Sequence, residues 1–112
     1  MDITRLISEM NRGFIQLLML VMLDQPKYGY EIVKELQEKD FNIEENTLYP
    51  LLRRLEERKL LSSEWRVEEN KPRKYYFVSK EGIEVKEELL EIWNNQKRLL
   101  KEFEEDKNHE SA

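Results

Sequence analysis

The residues best placed to do chemistry lie between Asn46 and Leu61, in the run NTLYPLLRRLEERKLL. Leu48, Leu52 and Leu55 recur at helical spacing, which puts them along one side of a helix and marks that side for burial. Thr47, Tyr49, Pro50, Arg53, Arg54 and Glu57 are left on the opposite side. A hydroxyl, a phenol and two adjacent guanidinium groups make no catalytic constellation. They offer hydrogen bonds to anions, because a guanidinium donates two parallel bonds to a phosphate or to the acceptor edge of guanine. A helix that only faced water has little use for an exposed Tyr.

Enzymatic chemistry finds no footing elsewhere in the chain. His109, the single histidine, sits in a polar tail, and no serine, histidine and acid set can be assembled around it. Three glycines are too few and too scattered for a phosphate-cradling loop. Cysteine is absent, so there is no disulfide and no thiolate metal site, which fits a reducing interior. No cofactor and no metal are expected.

The elements that must position the arginines follow from periodicity. Asp2 caps a first helix whose apolar residues, Ile3, Leu6, Ile7, Met10, Phe14, Leu17, Leu18 and Val21, widen from a stripe to nearly all sides, so its second half is core. Asp24 to Lys27, with Pro26, breaks it. A second helix begins near Tyr28 or Gly29 and buries Ile32, Val33 and Leu36, and Asp40 to Asn42 makes a turn. Pro50 belongs in the first turn of a helix, so the third helix should start close to Glu45 or Asn46. Leu61 to Val67 and Tyr75 to Val78 read as two paired strands, with Leu61, Trp65 and Val67 sharing one parity. Glu68 to Pro72 is the tip between them. It carries Lys71, Arg73 and Lys74, long cations able to reach a minor groove or the flanking backbone, with Glu68 and Glu69 opposing them.

A helix-turn-helix followed by a hairpin is the order of a winged helix, a mostly α fold with a small β-hairpin (α+β). The domain covers residues 1–80, a C-terminal helix covers 81–106, and 107–112 form a flexible tail. The longest apolar run, Phe14 to Leu23, is too short to span a membrane and no secretory leader precedes it, so a soluble cytoplasmic protein is expected.

Net charge is −5 over 112 residues, which looks wrong for a nucleic-acid partner until it is divided. Residues 1–45 carry −4, residues 46–80 carry +4 and residues 81–112 carry −5. Affinity for DNA comes from local phosphate neutralisation, and screening at physiological salt acts within about 8 Å. A basic face therefore works on an acidic molecule.

Ser79 is a good cap for the last helix, although Gly82 stands where a capping box would want Glu or Gln. Along it Leu89, Trp93, Gln96, Leu100 and Phe103, with Ile92 and Leu99 on the flank, recur at the spacing of a helix that seeks another helix. Such a helix would be roughly 40 Å long, more than so small a domain can cover. Leu89, Ile92, Trp93, Leu100 and Phe103 form the expected dimer seam. Trp93 lies at its middle, where a two-fold axis would bring two indoles together. They either pack as core or sandwich a planar aromatic ligand, with Leu89 lining the space and Gln96 and Asn95 one turn away.

Three segments carry a family resemblance: YGYEIVKEL at Tyr28–Leu36, NTLYPLLRRLEERKLL at Asn46–Leu61 and RKYYFVSKEG at Arg73–Gly82 resemble the PadR family of transcriptional regulators. The match spans about residues 12 to 105. The short form with one C-terminal helix is similar to the subgroup that includes multidrug-responsive repressors, some of which hold ligands in an interfacial pocket. The resemblance implies a homodimeric winged-helix repressor. It assigns Thr47, Tyr49, Pro50, Arg53 and Arg54 to the recognition helix, Lys71, Arg73 and Lys74 to the wing, and Tyr28 and Tyr30 to the start of the second helix near the DNA backbone. Asn46 stands among the DNA-facing residues where the family often has a small residue, Lys59 where glycine usually ends the helix, and Ser79 where Thr is usual. Lys59 implies a helix end other than the left-handed glycine turn.

The reading is a dimer that inserts one third helix per subunit into successive major grooves of a palindromic operator and is released by a planar aromatic effector. A winged-helix module that docks a protein, and a repressor without effector, are the alternatives.

Overall fold

Leu48 and Leu52 have no exposed surface, and Leu55 and Leu61 almost none, so the arginine-bearing helix is pinned at the centre of the molecule. The computed structural model describes the backbone of residues 1–110 and the side chains of residues 1–106. In chain order it contains α1 (Thr4–Met22), β1 (Lys27–Tyr28), α2 (Gly29–Glu38), α3 (Glu45–Glu57), β2 (Leu61–Glu68), β3 (Lys71–Val78) and α4 (Lys80–Glu110). Met19, Leu20 and Leu23 from the end of α1, Ile32 and Leu36 from α2, the leucines of α3, and Leu61 and Tyr76 from the sheet form one cluster. Each buried leucine contributes roughly 1.5–3 kcal/mol. Leu51 is buried beside the other three, so the apolar side of α3 is wider than the expected stripe. Among the described residues no helix is long and apolar enough to cross a membrane.

The end of α3 differs from expectation, while α2 ends at the turn expected around Asp40. After α3, the Leu60 N–H bonds the Leu55 carbonyl and the Lys59 N–H bonds that of Glu56, both at 2.9 Å. Lys59 has φ 64°. This is the left-handed stop that glycine usually makes, so the departure at Lys59 alters the residue and keeps the turn. α2 closes in the same manner: Phe41 N–H bonds Leu36 and Asp40 N–H bonds Gln37, at 2.9 and 3.1 Å, with Asp40 at φ 62°. Both turns return a hydrophobic residue, Leu60 or Phe41, to the core. That burial outweighs the roughly 1–2 kcal/mol that a side chain suffers in the left-handed region.

Pro50 is the second correction. It is the sixth residue of α3 and not part of its first turn. With no N–H it leaves the Asn46 carbonyl without its helical partner, and the exposure of both residues lets water reach that acceptor. At the other end of the chain, Asp2 accepts the Thr4 N–H at 2.9 Å, although Ile3 is the residue preceding the helix.

The sheet has three antiparallel strands in the order β1-β3-β2, one more than the expected hairpin. β1 pairs Lys27 with Tyr76 and Tyr28 with Tyr75, and two residues are too few to show alternation in a sequence. The β2–β3 turn is Glu69 and Asn70 alone, with φ 52° and 62°, a two-residue turn whose handedness matches the twist of the strands. Trp65 and Val67 share a face with Leu61, yet they lie past the edge of the core, 68% and 73% exposed against 2% for Leu61.

Ser79 caps α4 as expected, its hydroxyl accepting the Gly82 N–H at 3.0 Å and donating to the Lys59 carbonyl at 2.6 Å. The missing capping-box side chain has a steric cause: a Cβ on Gly82 would overlap the Leu60 carbonyl and the Val78 side chain. Val85 and Leu89 still pack on the core. From Glu91 to Asp106 every side chain is exposed, and the first half of α1 is nearly as bare. The helix continues past the expected end at Asp106 to Glu110, while Ser111 and Ala112 of the expected tail lie outside the described residues.

Replacing Lys59 with Gly relieves the left-handed strain and is expected to stabilise the fold by about 1 kcal/mol in denaturant unfolding. An unchanged or lower midpoint would show that Lys59 contributes contacts the geometry does not reveal.

Candidate nucleic-acid interface

α3 carries its polar residues outward as the spacing required. Asn46, Thr47, Tyr49, Pro50, Arg53 and Arg54 are all exposed. Tyr49 leans across the start of α2, where a Cβ on Gly29 would come within 2.5 Å of its hydroxyl oxygen. The absence of a Cβ at Gly29 lets the Tyr49 ring lie against the start of α2. Burial first, then the negative charge of Glu45 and the neighbouring Tyr76, raise the Tyr49 hydroxyl above its ordinary pKa of 10.0. The hydroxyl stays neutral at physiological pH and able to donate to a phosphate.

Beside α3, the hairpin is held by a network of ions and rings. The Arg73 guanidinium lies 4.6 Å over the Tyr28 ring and 3.6 Å from the Glu68 carboxylate. Tyr28 meets Tyr75 edge-on at 5.3 Å, and its N–H bonds the Glu31 carboxylate at 3.1 Å. The Lys74 ammonium bonds Glu56 of α3 at 3.1 Å and lies 5.1 Å over Tyr76. Glu56 also accepts the Ser63 hydroxyl. Burial works against the charged carboxylate, but the bonds from Ser63 and Lys74 outweigh it and lower the Glu56 pKa. Burial likewise opposes the charge on Lys74, and Glu56 and Tyr76 together more than offset it, raising its pKa.

A cleft of about 420 Å³ opens between α3 and the hairpin, with Tyr49 and Arg53 on one wall and Trp65, Arg73 and Lys74 on the other. Both strands of the hairpin latch onto α3 through a single carboxylate, that of Glu56. An Arg53 guanidinium outside the ion pairs of the described residues, with two paired cations and several rings beside it at the mouth of a groove, suits an anion better than a small neutral substrate.

The family model for PadR-like transcriptional regulators matches residues 17–88. The chain belongs to the PadR-like family of transcriptional regulators. A PadR family transcriptional regulator from Eggerthella lenta is 40% identical, with a TM-score of 0.83 over 90% of both chains. A PadR family regulator from Clostridium difficile is 31% identical, with a TM-score of 0.74 over 81% of this chain and 98% of that one. An uncharacterised protein of Lysinibacillus sphaericus is 31% identical over 86% of this chain and 93% of its own.

PadR membership makes this a winged-helix, DNA-binding regulator, and it gives the cleft between α3 and the wing a context. The recognition-helix residues expected from sequence do share one exposed face. The wing residues do not all lie at the tip: Lys71 adjoins the turn, but Arg73 and Lys74 are half-buried within β3 and ion-paired. Tyr28 is a half-buried platform under Arg73, whereas Tyr30 is 56% exposed in the first turn of α2. Trp65 and Gly29 went unrecognised, one because an aromatic on a strand reads as core, the other because a glycine in a helix start reads as a turn signal.

On α4, Trp93 is 39% exposed with the Lys97 ammonium 4.6 Å over its ring, and Gln96, Ile92, Leu100 and Phe103 are exposed. Leu89 is half-buried against this chain's own core, so it separates from the rest of the proposed seam.

The latch has a pH signature. Glu56 has its pKa lowered on folding, so its contribution is present above the ordinary glutamate value of 4.5 and is lost as pH falls through the lower folded value. Glu56→Gln is expected to be less stable than wild type at pH 7 by no more than about 1 kcal/mol, given the partial exposure of the pair. That gap should close in acid. A gap unchanged down to pH 3 would remove the latch from the account.

Proposed function

We propose that the protein acts as a homodimeric transcriptional repressor that places α3 of each subunit in successive major grooves of a palindromic operator, with the two wings on the flanking backbone. The observation that carries this reading is the exposed face of α3, where Thr47, Tyr49, Arg53 and Arg54 stand together while the leucines behind them are buried. A guanidinium can read guanine from such a position, and two heads at the spacing of one helical turn need a second subunit.

Support for the dimer comes from apolar surface that one chain leaves uncovered. Leu100 and Phe103 are 66% and 64% exposed, and Leu6, Ile7 and Met10 of α1 are bare as well. Exposed apolar side chains on two helices are surface suited to an interface. Two α4 helices crossing near Trp93 would place their indoles on either side of the axis. A planar aromatic ligand entering there would displace Lys97 from the Trp93 ring, exchanging one cation–π contact for a larger stacked one. Release follows if the liganded dimer spaces its reading heads differently, and by linkage the ligand then binds the DNA-bound dimer more weakly.

Arg53→Ala is expected to weaken binding to DNA taken from upstream of the protein's own coding sequence by about 1–3 kcal/mol and to relax sequence preference. Equal binding of that variant to this fragment and to random duplex, both at wild-type strength, would reject the assignment. Phe103→Glu is expected to shift the protein toward monomer in sedimentation. A wild-type protein that sediments as a monomer at micromolar concentration would contradict the dimer.

A further inference from the structure

Trp65 is the most exposed aromatic of the wing, and its surroundings specify what it meets. Ser63, two residues earlier on β2, bonds Glu56 of α3, so the face of β2 that carries Ser63 is the one turned to α3. Side chains alternate along a strand, which puts Trp65 on the same face, one step nearer the tip. Arg53 precedes Glu56 by one turn of α3, so Trp65 stands level with Arg53, and both line the cleft together with Tyr49. The cross-strand partner of Trp65 is Lys74, whose ammonium is already committed to Glu56 and Tyr76. The indole is left 68% exposed. Val67, 73% exposed, and Pro72, its partner across the hairpin, continue the apolar strip toward the turn.

The charges around this strip indicate its occupant. Arg53 takes part in none of the ion pairs found among the described residues, and Glu56, the α3 carboxylate that faces the hairpin, is spent on Ser63 and Lys74. A flat amphipathic ring beside an uncommitted guanidinium fits a strand of DNA backbone, which offers an apolar sugar next to an anionic phosphate. Of the three cations expected to make the wing's contact, Arg73 and Lys74 are ion-paired within the fold, and Lys71 stands exposed beside the turn.

We propose that Trp65 is a principal DNA contact of the wing, its indole face lying against a deoxyribose of the strand that borders the groove entered by α3 and its Nε1–H donating to the adjoining phosphate. Val67 and Pro72 extend that contact toward the turn. The inference rests on the reading of the α3–wing cleft as the DNA-binding surface.

The test uses the full-length protein and a duplex fragment from upstream of its own coding sequence, with a scrambled duplex as control. Wild-type tryptophan emission is expected to change on saturation with the fragment, and that change should vanish in Trp65→Phe, which retains affinity within about threefold because a ring remains to cover the sugar. Trp65→Ala should bind about tenfold more weakly, equivalent to about 1.4 kcal/mol. Its dependence on salt should match wild type, because no positive charge is removed. Its thermal midpoint should also match, since an exposed ring contributes little to the core. Emission that does not respond to saturating DNA, or Trp65→Ala binding as tightly as wild type, overturns the assignment of Trp65 while leaving the interface in place. Absence of salt-sensitive DNA binding by the wild type overturns both.

Discussion

The leucine side of α3 fixes the position of every other element. Leu48, Leu51, Leu52 and Leu55 meet the end of α1, the inner face of α2 and the residues Leu61 and Tyr76 of the sheet in one cluster. Because these contacts use one side of a thirteen-residue helix, the other side is held out rigidly. Any rotation of α3 that hid Arg53 would expose leucines, at a cost of several kcal/mol by area alone. The polar face is thereby presented without further support, and α2, the wing and α4 are arranged around it.

Electrostatics refine what packing sets up. The positive excess of residues 46–80 is not spread evenly over the surface they form, because Lys74 is tied to Glu56, Arg73 to Glu68 and Arg66 to Glu64. These pairs fasten the wing to α3 and to itself, and they remove three cations from the supply available to a phosphate. The arginines of α3 are outside that network. The outcome is a small focus of positive charge on an acidic molecule, which concentrates attraction for polyanions at the exposed face of α3 and repels them elsewhere.

Much of this organisation was legible in the amino acids. The leucine period locates α3, the Ser79 cap locates α4, and the order of helices and hairpin identifies the winged helix. The failures share a physical origin. Pro50 in the second turn of α3 and Lys59 in a left-handed turn are positions where tertiary burial overrides local preference, so local rules misread them. β1 is too short to carry a pattern. Trp65 obeys its strand's parity but lies beyond the core that parity usually signals, 68% exposed where Leu61 is buried. Lys74 reads as a free cation in sequence, since its partner Glu56 is distant in the chain and adjacent only in the fold. Family membership added the functional class, and the roles of individual side chains rest on the geometry.

The claim at the centre is that the arginine-bearing face of α3 and the neighbouring wing form the surface that meets duplex DNA. Backbone amide shifts of the labelled protein, followed while the upstream duplex is titrated in, examine that surface residue by residue. The account requires the largest changes at Asn46 to Arg54 and along β2 and β3 near Trp65, with α4 beyond Glu91 little affected by direct contact. Changes concentrated on α4, with the α3 face undisturbed, would contradict it.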